Sequence, residues 1–257
     1  MNEPDQGNSD RRIQSLERGF EVLEYLYREG ETTVSELAAA LDLSTSTAHI
    51  YLKTLSDLGY VKKAASKYSL SHRFLRFGTK TRKQADIYQA ALSEVDKLAD
   101  ETNEVSALGV PERGKRVLLY KSESSEAVYD NPPAGEYTYM HWTALGKAIL
   151  GHLPRDRVEE IIDQHGLPAR TQQTITEESE LFDELATINE TGYAVEDEER
   201  WNGIRSVAVP ILDNETVVGS ISVSGPKNRF DRDRIESELV TDLMQSKNVI
   251  EVRLAHE

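Results

Sequence analysis

The chain has 257 residues, 45 acids against 30 lysines and arginines for a formal net charge of −15, and no cysteine. That length suits one large domain or two ordinary ones. The lack of cysteine excludes disulfides, thiolate nucleophiles and cysteine-held metals, and no run of about 18 apolar residues is present to cross a bilayer.

The acidic balance is unevenly spread. Residues 1–83 hold 13 basic against 11 acidic side chains, while residues 84–257 hold 17 against 34. Within the first part, residues 46–83 carry nine basic residues and one acid, Asp57. An acidic body therefore bears one concentrated basic patch, the footprint of a nucleic-acid site rather than of a merely solvated face. The acidic excess elsewhere resembles the surfaces of proteins from a highly saline, halophilic cytoplasm.

The first residues, "MNEPDQGNSDRR", lack the apolar core of a signal peptide, so residues 1–12 read as a disordered tail and the protein as cytoplasmic. Ile13, Leu16, Phe20, Leu23 and Tyr27 recur at spacings of three and four, predicting an amphipathic helix over 13–29 that Gly30 ends. Thr33 with Glu36 fits a capping box that opens a short helix through Leu37, Ala38 and Leu41. A third helix follows, capped by Ser44 or Thr45, with Ala48, Leu52, Leu55 and Leu58 on its buried face and Gly59 as its stop. "YVKKAASKYSL" then reads as a hairpin around Ala65-Ser66-Lys67. Three helices and a hairpin within residues 13–78 describe a winged helix-turn-helix.

If Ala48, Leu52 and Leu55 face inward, Thr45, Ser46, His49, Ile50 and Lys53 face out. A helix entering the major groove presents its N-terminal residues to base edges and phosphates, and hydroxyls there are short enough to let a phosphate approach the positive helix end. Together with Thr47 and with Lys62, Lys63 and Lys67 of the hairpin, these are the candidate contacts to double-stranded DNA. A helical domain whose hydroxyls only cap is the alternative, and the basic patch disfavours it.

Residues 79–102 read as a linker helix of about six turns, with Tyr88, Ala91, Leu92, Val95, Leu98 and Ala99 as its apolar stripe. Its C-terminal half fits the core of the second domain equally well. Over 103–257, "VSALGV", "RVLLYKS", "IRSVAVPIL" and "VVGSISVSG" read as strands, with a hairpin turn at residues 213–215. "TALGKAILGHL", "RDRVEEIIDQH" and "TEESELFDELATINETG" read as helices, and Asp231 starts a long closing helix. The class is α+β, with a mixed sheet expected in the second domain.

Chemistry-bearing motifs are scarce. The sequence has no G-x-S-x-G elbow, H-E-x-x-H pair or phosphate loop, and its histidines lack metal-ligand spacing; His141 and His152 are a weak pair at best. The run Glu196–Glu199 imitates an acid/base site but fits a solvated charge run better. No catalytic residue, metal site or cofactor is assigned. Ser222 and Ser224 lie two apart on one strand and share a face, giving two hydroxyls for an oxygen-rich ligand.

"SLERGFEVLEYL", "TTVSELAAALDLSTSTAHIYLKTLSDLGYV" and "YSLSHRFLRFG", with "HWTALGKAILGHLP", "TGYAVEDEERWNGIRSVAVPILD" and "GSISVSGP", resemble the IclR family of transcriptional regulators over about residues 13–254. The resemblance implies a winged helix-turn-helix followed by a GAF-like effector-binding domain. It places Ala144 and Leu145 where relatives bring backbone amides to a small carboxylate, Glu196 where many have an acid, and Ser206 where some have cysteine. It also implies a homo-oligomer, for which the first helix with Tyr27 and the Tyr88–Leu98 stripe are the expected contacts. The function expected is regulation of catabolic genes under a small organic acid or sugar acid. A metabolite-binding module or enzyme with an incidental helix-turn-helix is the other reading.

Overall fold

The structure is a computed structural model and describes residues 12–125, 127 and 132–256. The expected tail at 1–12 lies, but for Arg12, outside the described residues. The chain divides into two compact units, Met1–Lys80 and Thr81–Glu257.

In the first unit, α1 (Gln14–Glu29) ends at Gly30, and β1 (Glu31–Thr33) leads into α2 (Val34–Ala40). Thr33 and Glu36 form a complete capping box, so two orphan amides of α2 are satisfied by the chain's own side chains. The third helix, α3 (Thr45–Asp57), is capped by Ser44, whose Oγ accepts the Thr47 amide at 3.1 Å. Gly59 follows it with φ +79°, a left-handed stop that a Cβ would disfavour. β2 (Val61–Ala64) and β3 (Lys67–Leu70) form the wing around a two-residue turn, and β1 joins them in a sheet of order β1-β3-β2. Val22, Leu26, Leu37, Ala48, Leu52, Val61 and Tyr68 make the core.

Two expectations about this unit are corrected. The face of α1 that turns inward carries Val22 and Leu26, while Ile13, Leu16, Phe20 and Tyr27 stay open to solvent. This helix has more apolar side chains than one face can hold, and the small core fully buries only this pair, with Leu23 and Tyr25 packed at its edge. Leu58, expected inside, is 55% exposed, because the helix ends there and its side chain falls beyond the contact with α1 and α2.

The predicted linker helix is two helices, α4 (Arg73–Lys83) and α5 (Asp86–Thr102), with Ala85 extended between them. The direction of α5 is set by its burial: Ile87, Ala91, Val95 and Leu98 pack on the sheet of the second unit, whereas α4 buries no residue. The Tyr88–Leu98 stripe is therefore interior and is not available as a contact between copies.

The sheet of the second unit contains β4 (Val105–Glu112), β5 (Lys115–Glu123), β6 (Tyr137–Tyr139), β7 (Ala194–Asp197), β8 (Ile204–Asp213) and β9 (Thr216–Pro226), in the order β6-β5-β4-β9-β8-β7. Every pairing is antiparallel, where mixed directions were expected. The reason is connectivity: β4–β5 and β8–β9 are hairpins, the latter closed by Asn214 and Glu215, both at positive φ. The sheet is sandwiched. On one face α5 and the closing helices pack against Leu108, Val207, Val209, Ile221 and Val223. On the other lie α6 (Ala144–Leu150), α7 (Arg155–His165) and α8 (Glu178–Thr191), against Ala107, Leu118 and Ala208. The last segment starts at the Asp231 cap as α9 (Arg232–Arg234), widens through a π-helical turn at Ile235–Leu239, and runs on as α10 (Val240–Leu254).

Helix α6 approaches the preceding turn closely. A Cβ on Gly146 would stand 2.1 Å from the Met140 carbonyl oxygen, a backbone atom that cannot yield alone. Gly146→Ala is therefore expected to destabilise the second unit by about 2–3 kcal/mol despite alanine's better helix propensity. Urea unfolding at equal slope for both proteins is the check; an unchanged midpoint contradicts the close packing.

Candidate functional site

The exposed side of α3 is not uniform. Ser46, His49 and Lys53 recur at spacings of three and four and are all exposed, so they form one ridge. Thr45, the first residue of the helix, is exposed beside them. Thr47 is half-buried, and its hydroxyl is tied to Ser44 Oγ at 2.8 Å, so it belongs to the cap. Lys53 holds Asp57 at 2.6 Å in an exposed ion pair of small worth, which a phosphate can displace. Lys62 and Lys63 on β2 and Lys67 on β3 are exposed along the wing, Lys63 over the Tyr68 ring and Lys67 3.6 Å from Glu31. Ile50 sits apart. It lines an open apolar groove of about 920 Å³ with Leu16, Phe20, Leu58, Phe74 and Phe77.

In the second unit the strand register builds a polar row. Glu196 pairs with Ser206, Ser206 with Ser224, and Ser224 with Val105; one step along, Ala208 pairs with Ser222 and Ser222 with Ala107. Alternation turns these small and polar side chains away from the Val207–Val209–Ile221–Val223 core. The N-terminal end of α6 lies over them, and a partly open cavity of about 30 Å³ remains, space for about two waters. Ala144, Leu145, Glu196, Ser206, Ser222 and Ser224 all line it.

Thr143 caps α6 by accepting the Gly146 amide at 3.0 Å, which leaves the amides of Ala144 and Leu145 in the first turn without an intrahelical acceptor. Ser220 Oγ donates to the Leu145 carbonyl at 2.9 Å and fixes α6 on the sheet. The hydroxyls of Ser222 and Ser224 take no side-chain hydrogen bond from any described residue, although both residues are buried.

Sequence reasoning missed Arg116, Arg200 and Trp201, which also line the cavity. Arg116 shares a strand face with Leu118, so alternation was its only signal; Arg200 ends a charge run that hid it. That run is not solvated. Glu196 and Glu199 are buried, and Glu199 meets Lys147 at 2.6 Å. Lys147 is 1% exposed and also holds Glu184 at 2.8 Å. Burial alone would lower its pKa; the Glu199 and Glu184 carboxylates overcome that and keep the ammonium charged. His141 and His152 are not a pair: one meets the Pro168 carbonyl, the other that of Ala148.

Glu196 is the acid of the cavity wall. Burial pushes its pKa up to about 7, Glu199 adds to the rise, and the Arg200 amide and Ser206 hydroxyl, at 3.1 and 3.0 Å, oppose it.

A winged helix with a basic patch and a separate domain enclosing a polar cavity define a ligand-responsive DNA-binding regulator. The pattern described as "IclR helix-turn-helix domain" matches residues 15–65, and that described as "Bacterial transcriptional regulator IclR C-terminal" matches residues 79–251. The chain is 33% identical over 249 residues, 95% of each protein, to the probable HTH-type transcriptional regulator ArcR of Halobacterium salinarum. It is 30% identical to the HTH-type transcriptional regulator KdgR of Dickeya chrysanthemi, over 86% of this chain and 73% of that one. The crystal structure of Thermotoga maritima IclR matches with a TM-score of 0.80 at 28% identity, covering 95% of this chain and 99% of that one. The chain belongs to the IclR family of transcriptional regulators, with a helix-turn-helix DNA-binding domain and an effector-binding domain. No helix among the described residues is long and apolar enough to cross a membrane.

The raised pKa of Glu196 makes stability depend on pH. The folded chain keeps a proton there that an unfolded carboxyl releases near 4.5, so this contribution is complete below about 4.5 and lost as pH rises to about 7. The loss is on the order of 3 kcal/mol. Glu196→Gln should flatten the pH dependence of unfolding free energy across that window; equal slopes in variant and parent contradict the assignment.

Proposed function

We propose that this regulator reads a palindromic operator through Ser46, His49 and Lys53, steadied by Thr45 and the wing lysines Lys62, Lys63 and Lys67, under control of a small organic acid bound in the second domain. In this reading residues 13–78 are the DNA-binding domain, 79–102 the connection and 103–257 the effector domain. The observation that carries it is the convergence of Ala144, Leu145, Glu196, Ser206, Ser222 and Ser224 on one cavity. Free hydroxyls and first-turn amides suit a carboxylate with oxygen substituents, such as a keto acid or sugar acid. Targets are catabolic genes, the site of action is the cytoplasm, and no step of catalysis is assigned.

Ile50 and Thr47 leave the set of base contacts, one for the groove and one for the cap. The groove supports the homo-oligomer. Eight of the eleven exposed large apolar side chains among the described residues lie between Ile13 and Phe77, a concentration that a small domain covers with a partner surface. One reading helix spans only a half-site, and pairing two copies through α1 and the Phe74–Phe77 segment supplies the second. The acidic body and the Halobacterium relative support a saline cell interior, where the Debye length is about 3 Å near 1 M salt. Non-specific phosphate attraction is then weak, and base contacts with two-fold pairing carry the binding.

A mobility-shift assay with the chain's own upstream DNA, with and without keto acids and sugar acids, tests the whole reading. Lys53→Ala should weaken binding to every sequence and lower the salt slope by about one, whereas His49→Ala should cost about 1–3 kcal/mol on the preferred sequence only. Parent-like binding by both removes α3 from the groove.

Phe20→Asp addresses assembly. Light scattering should show dissociation at micromolar concentration, with operator affinity falling at least tenfold while thermal stability changes little. A variant that stays oligomeric and binds normally rules out the α1 groove as the contact.

A further inference from the structure

Four bases of the patch over residues 46–83 are taken up by the DNA-binding reading: Lys53, Lys62, Lys63 and Lys67. The other five, Arg73, Arg76, Lys80, Arg82 and Lys83, all lie on α4, and no acid occurs between Asp57 and Asp86. Exposed bases on other helices of this acid-rich chain are answered by an acid one turn away. Arg18 meets Glu21, Lys97 meets Glu101, Arg155 meets Glu159, Arg157 meets Glu160, and Arg232 meets Glu236. On α4, Arg76 and Lys80 meet no carboxylate among the described residues. Four apart, they are a like-charge pair that weakens the helix until an anion lies across it.

The first two turns of α4 are fixed to the segment that joins α3 to the wing. Ser71 Oγ donates to the Gly59 carbonyl at 2.7 Å, and Arg73 Nη1 donates to that of Leu58 at 2.7 Å. The Tyr60 ring packs against Phe74 and Phe77, with centroids 5.4 and 5.9 Å apart, and lies 4.8 Å from the Arg73 guanidinium. Arg73, Arg76 and Lys80 recur at spacings of three and four, so they form one exposed ridge about 10 Å long. It lies about a quarter of a turn round the helix from the Phe74–Phe77 pair. The helix that bears these charges is preorganised relative to α3, so little backbone ordering opposes an arriving anion.

An open row of exposed cations suits a line of negative charge better than one small ion. Duplex DNA offers such a line, one phosphate per about 1.7 Å of axis. The acids of the second unit are a poorer match, because 17 lysines and arginines are interspersed among the 34 carboxylates of residues 84–257. We infer that the Arg73–Arg76–Lys80 ridge of α4 is a second, sequence-independent contact to duplex DNA, gripping phosphates outside those met by α3 and the wing. This rests on the reading of α3 as the groove helix. The ridge adds affinity and fixes the orientation of the domain on the duplex, while the choice of sequence stays with α3.

The test is fluorescence anisotropy of the full chain over a salt series, on its upstream DNA and on a random-sequence duplex of the same length. The variant carries Arg76→Gln with Lys80→Gln; Arg73 is kept because it holds the Leu58 carbonyl. Its salt slope should fall by about 1.8 on both duplexes, about 0.9 for each lost phosphate contact, with binding at least about tenfold weaker near 0.1 M salt. Its preference for the upstream DNA should stay within twofold of the parent's, unlike that of His49→Ala. Arg76→Lys with Lys80→Arg should keep the parent slope, since a phosphate contact needs only the charge. Arg155→Gln with Arg157→Gln, which removes the same charge from α7, should leave the slope unchanged. A parent-like slope in the α4 Gln variant overturns the second contact, while a reduced slope in Lys53→Ala keeps α3 in the groove. Weaker binding accompanied by dissociation in light scattering assigns the ridge to the acids of a second copy and also overturns it. If Lys53→Ala and the α4 Gln variant both keep the parent slope, both readings fall.

Discussion

The two-residue alternation along β8 and β9 is the constraint on which the effector domain depends. Val207, Val209, Ile221 and Val223 project to one face, where α5 and α10 bury them. The residues between them, Ser206, Ala208, Ser222 and Ser224, are necessarily delivered to the other face. Small side chains there leave space beneath α6, and polar ones make that space suitable for an oxygen-rich ligand. Core and cavity are two sides of one strand pair, so a register slip of one residue would exchange them and abolish both.

The cavity is roofed at one end by a helix held by several contacts. Gly146 lets α6 touch the Met140 backbone, Ser220 ties its carbonyl to the sheet, and Lys147 fastens it to Glu184 on α8 and to Glu199 beyond β7. Glu199 stands three residues from Glu196, the acid of the cavity wall, and Arg200 lies between the cavity and Glu136. Charges that line the cavity are thus one or two contacts from the charges that fix α6. A change of charge in the cavity acts directly on this network, since buried ion pairs tolerate no missing partner.

In the DNA-binding unit the same economy appears in a smaller domain. Its core fully buries only Val22 and Leu26 from α1, with Leu23 and Tyr25 packed at its edge, and Leu16, Phe20 and Leu23 line a groove shared with α3 and α4. α3 therefore has three flanks: Ala48 and Leu52 hold the core, Ile50 and Leu58 line the groove, and Ser46, His49 and Lys53 stay exposed. The bare apolar groove and the ridge of Ser46, His49 and Lys53 lie on different flanks of one helix, so a surface laid over the groove need not cover that ridge.

Much of this was legible from residue order. The Thr33–Glu36 box, the Ser44 cap, the Gly30 and Gly59 stops, the wing and the strand pairs β4–β5 and β8–β9 are local signals, carried by neighbours a few positions apart. The charge asymmetry located the DNA-binding part, and alternation put Ser222 and Ser224 on one face. What stayed illegible was decided between distant segments. Which apolar face of α1 is buried depends on the limited area that α3 and β3 offer. The burial of α5 depends on a sheet whose strands lie up to 140 residues further along. The carboxylates of Glu196 and Glu199 read as a surface run until the fold brought Ser206 to one and Lys147 to the other. Sequence spacing encodes local periodicity and caps; burial, and with it the charge state and partner of every buried acid and base, is set only when remote surfaces close on one another and exclude water.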